Sequence, residues 1–222
     1  MAEGHRERFI EKALRYGIES FQKHEVLELY LFTLIPRKDT NPIAHELIEK
    51  FGSFYNICNA RVEELIKVKG IGRRAAQQLK LFPSIVRAYQ LSMYGDKKVF
   101  GSIEEIGRYC VDLLASRINE AMYMLCLDAN KTIIKQVLVA EGTPSEVYVE
   151  PRQIIEHVTY SPTQSVVLCH NHPGGTLMPS QNDIETTQNI KNALATIGIK
   201  LLDHIIVGKG TFISFNEHNF KF

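Results

Sequence analysis

The chain has no apolar run of membrane-spanning length, and its start, Met1-Ala2-Glu3-Gly4-His5-Arg6, carries no apolar signal segment. These absences argue against a spanning helix and against export, so the expectation is a cytoplasmic protein with no membrane partner. Cysteine is scarce: Cys58, Cys110, Cys126 and Cys169 are widely scattered, and none forms a Cys-x-x-Cys pair. That excludes a disulfide framework and a cysteine-only zinc site. Net charge is only +1 over 222 residues, so affinity for a polyanion has to come from a local patch. Hydrophobic residues make up 45% of the chain, enough for a core in each of two small domains.

What the chain does have is His170-Asn171-His172, followed after seven residues by Ser180 and after two more by Asp183. The preceding Ser165-Val166-Val167-Leu168-Cys169 is short, apolar and β-branched, and predicts a buried strand that delivers His170 to its carboxyl end. Side chains alternate along a strand, so His170 and His172 share one face while Asn171 and Cys169 point away. Pro173-Gly174-Gly175 breaks the strand. Pro179-Ser180 then opens a helix with Ile184, Ile190, Leu194 and Ile197 near one face. Asp183 falls in its first turn. Two imidazoles and one carboxylate are the donor types of a catalytic Zn²⁺ site whose fourth position holds water. The competing account is that Ser180 and Asp183 form only a capping box favoured by the helix dipole. The His-x-His spacing at a strand end favours the metal, and one Ser-Asp pair can serve both roles.

His170-x-His172-x7-Ser180-x2-Asp183 matches the core of the JAMM motif of MPN-domain metallo-hydrolases. With His170-Asn171-His172-Pro173-Gly174-Gly175 and Leu202-Asp203-His204-Ile205-Ile206-Val207-Gly208, the chain resembles the bacterial RadC family. Gly4-His5-Arg6-Glu7-Arg8 and Ile35-Pro36-Arg37-Lys38-Asp39-Thr40 extend the resemblance over nearly the whole length. It implies an α/β fold, an MPN-type (cytidine-deaminase-like) mixed sheet with flanking helices, preceded by a small all-α helix-hairpin-helix domain. Asn171 departs from the Ser or Thr that most JAMM peptidases have there.

The pattern changes near residues 94 to 102, dividing the chain into a helical domain, 1–95, and an MPN domain, 102–222. Before the division, Leu27, Leu31 and Leu34 recur at helical spacing, as do Leu47, Ile48 and Phe51. After it, Ser102-Ile103-Glu104-Glu105 reads as a capping box opening a helix to about Ser116, with Ile106, Cys110, Leu113 and Leu114 inward. Strands are expected at 120–128, 131–140, 147–149, 166–169, 201–207 and 211–215, and a helix from Pro151.

Leu65-Ile66-Lys67-Val68-Lys69-Gly70-Ile71-Gly72-Arg73-Arg74-Ala75-Ala76 resembles a helix-hairpin-helix, two short helices joined by a Gly-Ile-Gly turn. Residues 61–80 hold six Lys or Arg against two Glu, a local charge of +4. Lys69, Gly70, Gly72, Arg73 and Arg74 are the candidate contacts for a DNA backbone, with turn amides and basic side chains meeting phosphates. A hairpin that only packs or binds protein is the alternative.

By resemblance, one Zn²⁺ per chain held by His170, His172 and Asp183 activates water, a glutamate takes the proton, and Ser180 steadies the oxyanion. Spacing alone leaves Glu120, Glu141, Glu146 and Glu150 as candidates for the glutamate. The family pattern favours Glu120, which opens Glu120-Ala121-Met122-Tyr123-Met124, with Glu141 second. Asp203 and His204 face opposite sides of a strand and read as packing or as support behind the metal ligands. Three functions stay open: a zinc metallopeptidase acting on an unknown protein or peptide, a DNA repair or recombination accessory protein with a structural or vestigial metal, and a metal-dependent nuclease. The contiguous His-Asn-His is not the HNH nuclease signature, whose residues are distributed along a ββα element.

Overall fold

The computed structural model describes residues 2–95, 98–115, 117–142, 149–218 and 220. The chain forms two compact units, residues 1–85 and 86–222. The first is all helical: α1 (Ala2–Tyr16), a 3-10 turn at Ile18–Ser20, α2 (Lys23–Leu34), α3 (Asn41–Phe51), α4 (Phe54–Asn59), α5 (Val62–Leu65) and the start of α6 (Arg73–Ser92). Its core is built from the periodic positions of the sequence. Leu27, Leu31, Leu47, Ile57, Leu65 and Leu79 are all fully buried, and Leu34, Ile48 and Phe51 pack at the margin. The two amino-terminal stretches that resemble a family are tied together by one side chain. Arg6 donates to the carbonyls of Ile35 and Pro36, both at 2.7 Å, and of Lys38 at 2.6 Å.

The expected Gly-Ile-Gly turn is present, but the second helix it leads into is not short. Four-residue α5 is followed by a turn and then by the twenty residues of α6. Gly70 has φ +101, and a Cβ there would lie 2.6 Å from Ile43 Cδ1. Only glycine allows both that backbone and that approach to α3.

The second unit holds α7 (Ile103–Leu114), β1 (Glu120–Leu127), β2 (Ile133–Gly142), α8 (Pro151–Thr159), β3 (Ser165–Asn171), α9 (Gln181–Ala195), β4 (Lys200–Gly208) and β5 (Thr211–Ser214). The five strands form one sheet in the order β2-β1-β3-β4-β5. Only β3 and β4, joined through α9, are parallel; the other pairs are antiparallel. This is the mixed sheet with flanking helices that the sequence predicts. The strand expected at 147–149 falls largely on residues outside those described, as do Glu146, the end of the 102–116 helix and residues 96 and 97 of the expected linker. No helix among the described residues is long and apolar enough to cross a membrane.

Alternation sorts the sheet's two faces. Ala121, Leu125, Val167, Cys169 and Ile205 pack with Tyr109, Cys110 and Leu113 of α7. Met122, Met124, Val166 and Leu168 pack with Ile154 and Val158 of α8 and Ile190 and Leu194 of α9. β3 is buried along all seven residues. Its even-numbered side chains face α9, which decides where His170 must point.

Candidate metal centre

His170 lies near the carboxyl end of β3, on the face covered by α9, and is fully buried. His172 follows two residues later on the same side. Its direction is fixed where the chain turns: His172 N–H donates to Val207 O at 2.8 Å, and Gly175 N–H, with φ +80, donates back to His172 O at 2.8 Å. The turn sends the chain to Ser180, the N-cap of α9. Ser180 Oγ accepts from Asp183 N–H at 3.1 Å, and Asp183 Oδ2 accepts from Ser180 N–H at 2.7 Å. This is the capping box, and its aspartate also faces the histidines. Asp183, Thr187, Ile190 and Leu194 form the buried stripe of α9. Ile197 does not belong to it; the helix ends at Ala195 and Ile197 is 43% exposed.

Four side chains converge. Glu120, His170, His172 and Asp183 each offer one donor atom, all within 4.8 Å of one another. Asp183 Oδ1 lies 3.2 Å from His170 Nε2, and Oδ2 lies 3.5 Å from His172 Nε2. The two Nε2 atoms are 2.8 Å apart.

The tautomers follow from groups behind the site. Thr187 Oγ1 lies 2.5 Å from Asp183 O, an acceptor only, so the hydroxyl donates there. Thr187 Oγ1 therefore accepts from His204 Nδ1–H at 2.6 Å. His204 is fully buried, and burial holds its pKa well below the ordinary value, so it is neutral and its Nε2 is an acceptor. At 2.7 Å that Nε2 receives the Nδ1–H of His170. On the other imidazole, Nδ1–H of His172 donates to Thr176 O at 3.0 Å. In neutral form, the rings of His170 and His172 would turn Nε2 lone pairs toward each other and toward a carboxylate. Three acceptors converging in a largely buried site call for a cation or for added protons. Two nitrogens and one carboxylate oxygen fit a divalent ion such as Zn²⁺.

Without an ion, protons take that place. Burial alone would lower the His172 pKa, but Asp183, the Thr176 carbonyl and Glu120 outweigh it and raise it above 6.5. Asp183 shows the converse: burial opposes its charge, yet His170, His172 and Ser180 hold it far below the usual carboxylate range. Burial pushes Glu120 above the ordinary glutamate value, with Asp183 adding and the histidines opposing.

The structure brings Glu120 into this cluster and leaves Glu141 out of it. Glu141 Oε1 instead accepts from Arg117 at 2.8 Å. Ser180 reaches the site, but its hydroxyl is donated to Asp183 Oδ2 at 2.7 Å, so here it steadies the carboxylate. Asp203 turns to the opposite face, where Ser214 and the Asn216 amide hold it. A cleft of about 300 Å³ opens beside the cluster, lined by Glu120, His172, Pro173, Gly174, Thr176, Met178 and Ser180. Of the two sequence readings of His204, packing or support behind the ligands, its contact with His170 Nδ1 fits support; sequence reasoning missed Thr187. The signal was present in the four-residue step from Asp183 to Thr187, which puts both on one helix face.

Residues 100–220 match the RadC-like JAB domain, and residues 3–77 match the UPF0758 N-terminal family. The chain belongs to the UPF0758 family, with a RadC-like JAB domain. It is 33% identical over 216 residues to a UPF0758 protein of Ruegeria pomeroyi, covering 97% of this chain and 96% of the relative. A UPF0758 protein of Rhodobacter capsulatus is 35% identical over 205 residues, covering 92% and 96%. One from Fusobacterium nucleatum is 35% identical over 224 residues, covering 97% and 96%. The match over 100–220 spans every residue of the cluster.

Proposed function

We propose that this UPF0758 protein is a zinc-dependent hydrolase of amide or isopeptide bonds, in which His170, His172 and Asp183 hold one ion. The observation that carries this reading is the convergence of two imidazole nitrogens and a carboxylate beside Glu120. Three ligands next to an open cleft suit catalysis; a structural zinc site is closed by four protein ligands. When bound, the ion lowers the pKa of water and polarises a carbonyl. Glu120 accepts the water's proton and returns it to the leaving amine, a role helped by its raised pKa. Pro173 and Met178 give the cleft an apolar wall, which favours an apolar side chain beside the scissile bond.

The amino-terminal unit supports association with DNA. Lys69, Arg73 and Arg74 are exposed around the Gly70–Gly72 turn, as sequence-independent phosphate contact requires. The four described cysteines are free and buried, which suits a reducing compartment, and we place the protein in the cytoplasm.

The test is to incubate zinc-loaded protein with a peptide library and with single- and double-stranded DNA, beside Glu120→Gln. Peptide cleavage lost in Glu120→Gln supports the proposal. DNA cleavage would make the protein a nuclease, and neither activity would leave an accessory protein.

A further inference from the structure

Asn171 stands between the two histidines, and its side chain turns to the other side of β3. It is 5% exposed. Its Oδ1 accepts from Ala121 N–H at 2.9 Å, and its Nδ2 donates to Asn119 O at 3.1 Å. The carboxamide orientation is not arbitrary, because a backbone N–H can only donate and a carbonyl can only accept. These two bonds straddle Glu120.

Main-chain pairing between β1 and β3 ends at Met122↔His170. Beyond it, Ala121 and Glu120 have no ladder partner from β3. On their other side they pair with Glu141 and Gly142 at the end of edge strand β2. A carboxamide carries one donor and one acceptor group, the complement of a peptide unit, so Asn171 supplies by its side chain the rung that the strands do not make. A serine or threonine hydroxyl is too short to span both residue 119 and residue 121. Aspartate lacks the donor, and leucine lacks both groups.

We propose that Asn171 is a positioning residue whose carboxamide clamps the main chain on both sides of Glu120, holding its carboxylate over the site of His170 and His172. The proposal rests on Glu120 being the proton acceptor. Because the clamp lies between the two ligands in one strand, displacement of the ligands carries the base with them. The distance between the histidines and the base is then set by two strands clamped together rather than by two elements moving separately.

The test uses the full chain with Asn171→Ser and Asn171→Asp. In metal-free protein, amide hydrogen exchange at Ala121 should rise roughly tenfold in Asn171→Ser and stay near wild type in Asn171→Asp, which keeps the acceptor. Amides of Val167 and Cys169 serve as the control for general loosening and should not change. Zinc content should stay at one per chain in both variants, since no ligand is removed. On a cleaved substrate, both variants should lower kcat about a hundredfold with KM within about threefold, and adding Glu120→Gln to either should cost far less than in wild type. Unchanged exchange at Ala121 in Asn171→Ser overturns the clamp, and so does loss of zinc together with protection across β3. Unchanged kcat with raised exchange overturns the positioning role. If wild type cleaves nothing, the hydrolase reading fails by itself, and exchange still decides the clamp.

Discussion

His204 Nε2 lies 2.7 Å from His170 Nδ1, with both rings fully buried and His204 anchored through Thr187 to the backbone of the helix that carries Asp183. One imidazole thus links a donor on β3 to a donor on α9. His204→Leu leaves the His170 Nδ1–H without a partner, which costs about 1–3 kcal/mol. It also frees the tautomer, so zinc affinity should fall roughly 10- to 100-fold. His204→Gln keeps an acceptor and should recover part of both. Chelator competition and thermal unfolding measure the two effects; equal zinc affinity in wild type and His204→Leu counts against the chain of hydrogen bonds.

Purified protein should carry about one zinc per chain, and His172→Ala should lose it, because two ligands hold the ion poorly. Elemental analysis decides. Equal zinc in both proteins would reject this ligand set.

Glu120→Gln and Asp183→Ala should separate proton transfer from metal retention. Glu120→Gln is expected to keep zinc and stability while losing about 10²- to 10⁴-fold in rate. Asp183→Ala removes a ligand and the capping-box partner of Ser180 together. Zinc content should drop, and stability should fall by about 1 kcal/mol from the lost cap. Near-normal turnover in Glu120→Gln would send the search for a base elsewhere, and first to Glu141.

In chelated protein the folded His172 pKa is raised above 6.5, so its contribution to stability is fully present below that pH and is lost as pH rises through the folded value. Asp183 has the opposite sign. Its folded pKa is depressed, so its contribution is present above 3.8 and is lost only as pH falls below that. Metal-free protein should therefore melt lower at about pH 9 than at about pH 6, and His172→Gln should remove most of that difference. Zinc should stabilise more at the higher pH, because it binds the neutral imidazole. Melting curves with chelator or with zinc provide the check. An identical pH trend in wild type and His172→Gln would contradict it.

Full-length protein should bind duplex DNA without sequence preference and more weakly as salt rises, and Lys69→Ala, Arg73→Ala and Arg74→Ala together should flatten the salt slope by up to about 3. Fluorescence anisotropy across a salt series measures it. Binding indifferent to both salt and the substitutions would argue for a protein partner at this face.

Glu120 was legible only through the family pattern, but the strand at 166–169, the capping box and the grouping of His170 and His172 with Asp183 were legible because each rests on a local rule: alternation, helix-start chemistry and motif spacing. What joins them was not. Asn171 reads from sequence only as a side chain pointing away, since its partners Asn119 and Ala121 lie in another strand. Glu120 and Glu141 occupy similar strand-end positions, and only their placement in the fold separates them: Glu120 joins the cluster, whereas Glu141 pairs with Arg117. The length of α6 was hidden for a different reason. Pro83 lies in its interior and by itself signals a helix end, but the surrounding helix absorbs it. For α9, Ile197 fits the apolar period and still lies past the last turn, where the chain bends into β4.

Three of the four converging side chains come from one continuous stretch, the end of β3, the turn and the first turn of α9, whereas Glu120 arrives through the pairing of β1 with β3. Closing a short loop costs little chain entropy, and contacts between distant segments form later. On the proposed reading, a nascent or partly opened chain would be able to hold its ion before Glu120 is in place. Metal loading and hydrolytic competence would then be separate stages of assembly, and an incompletely folded molecule would be inert toward peptides around it.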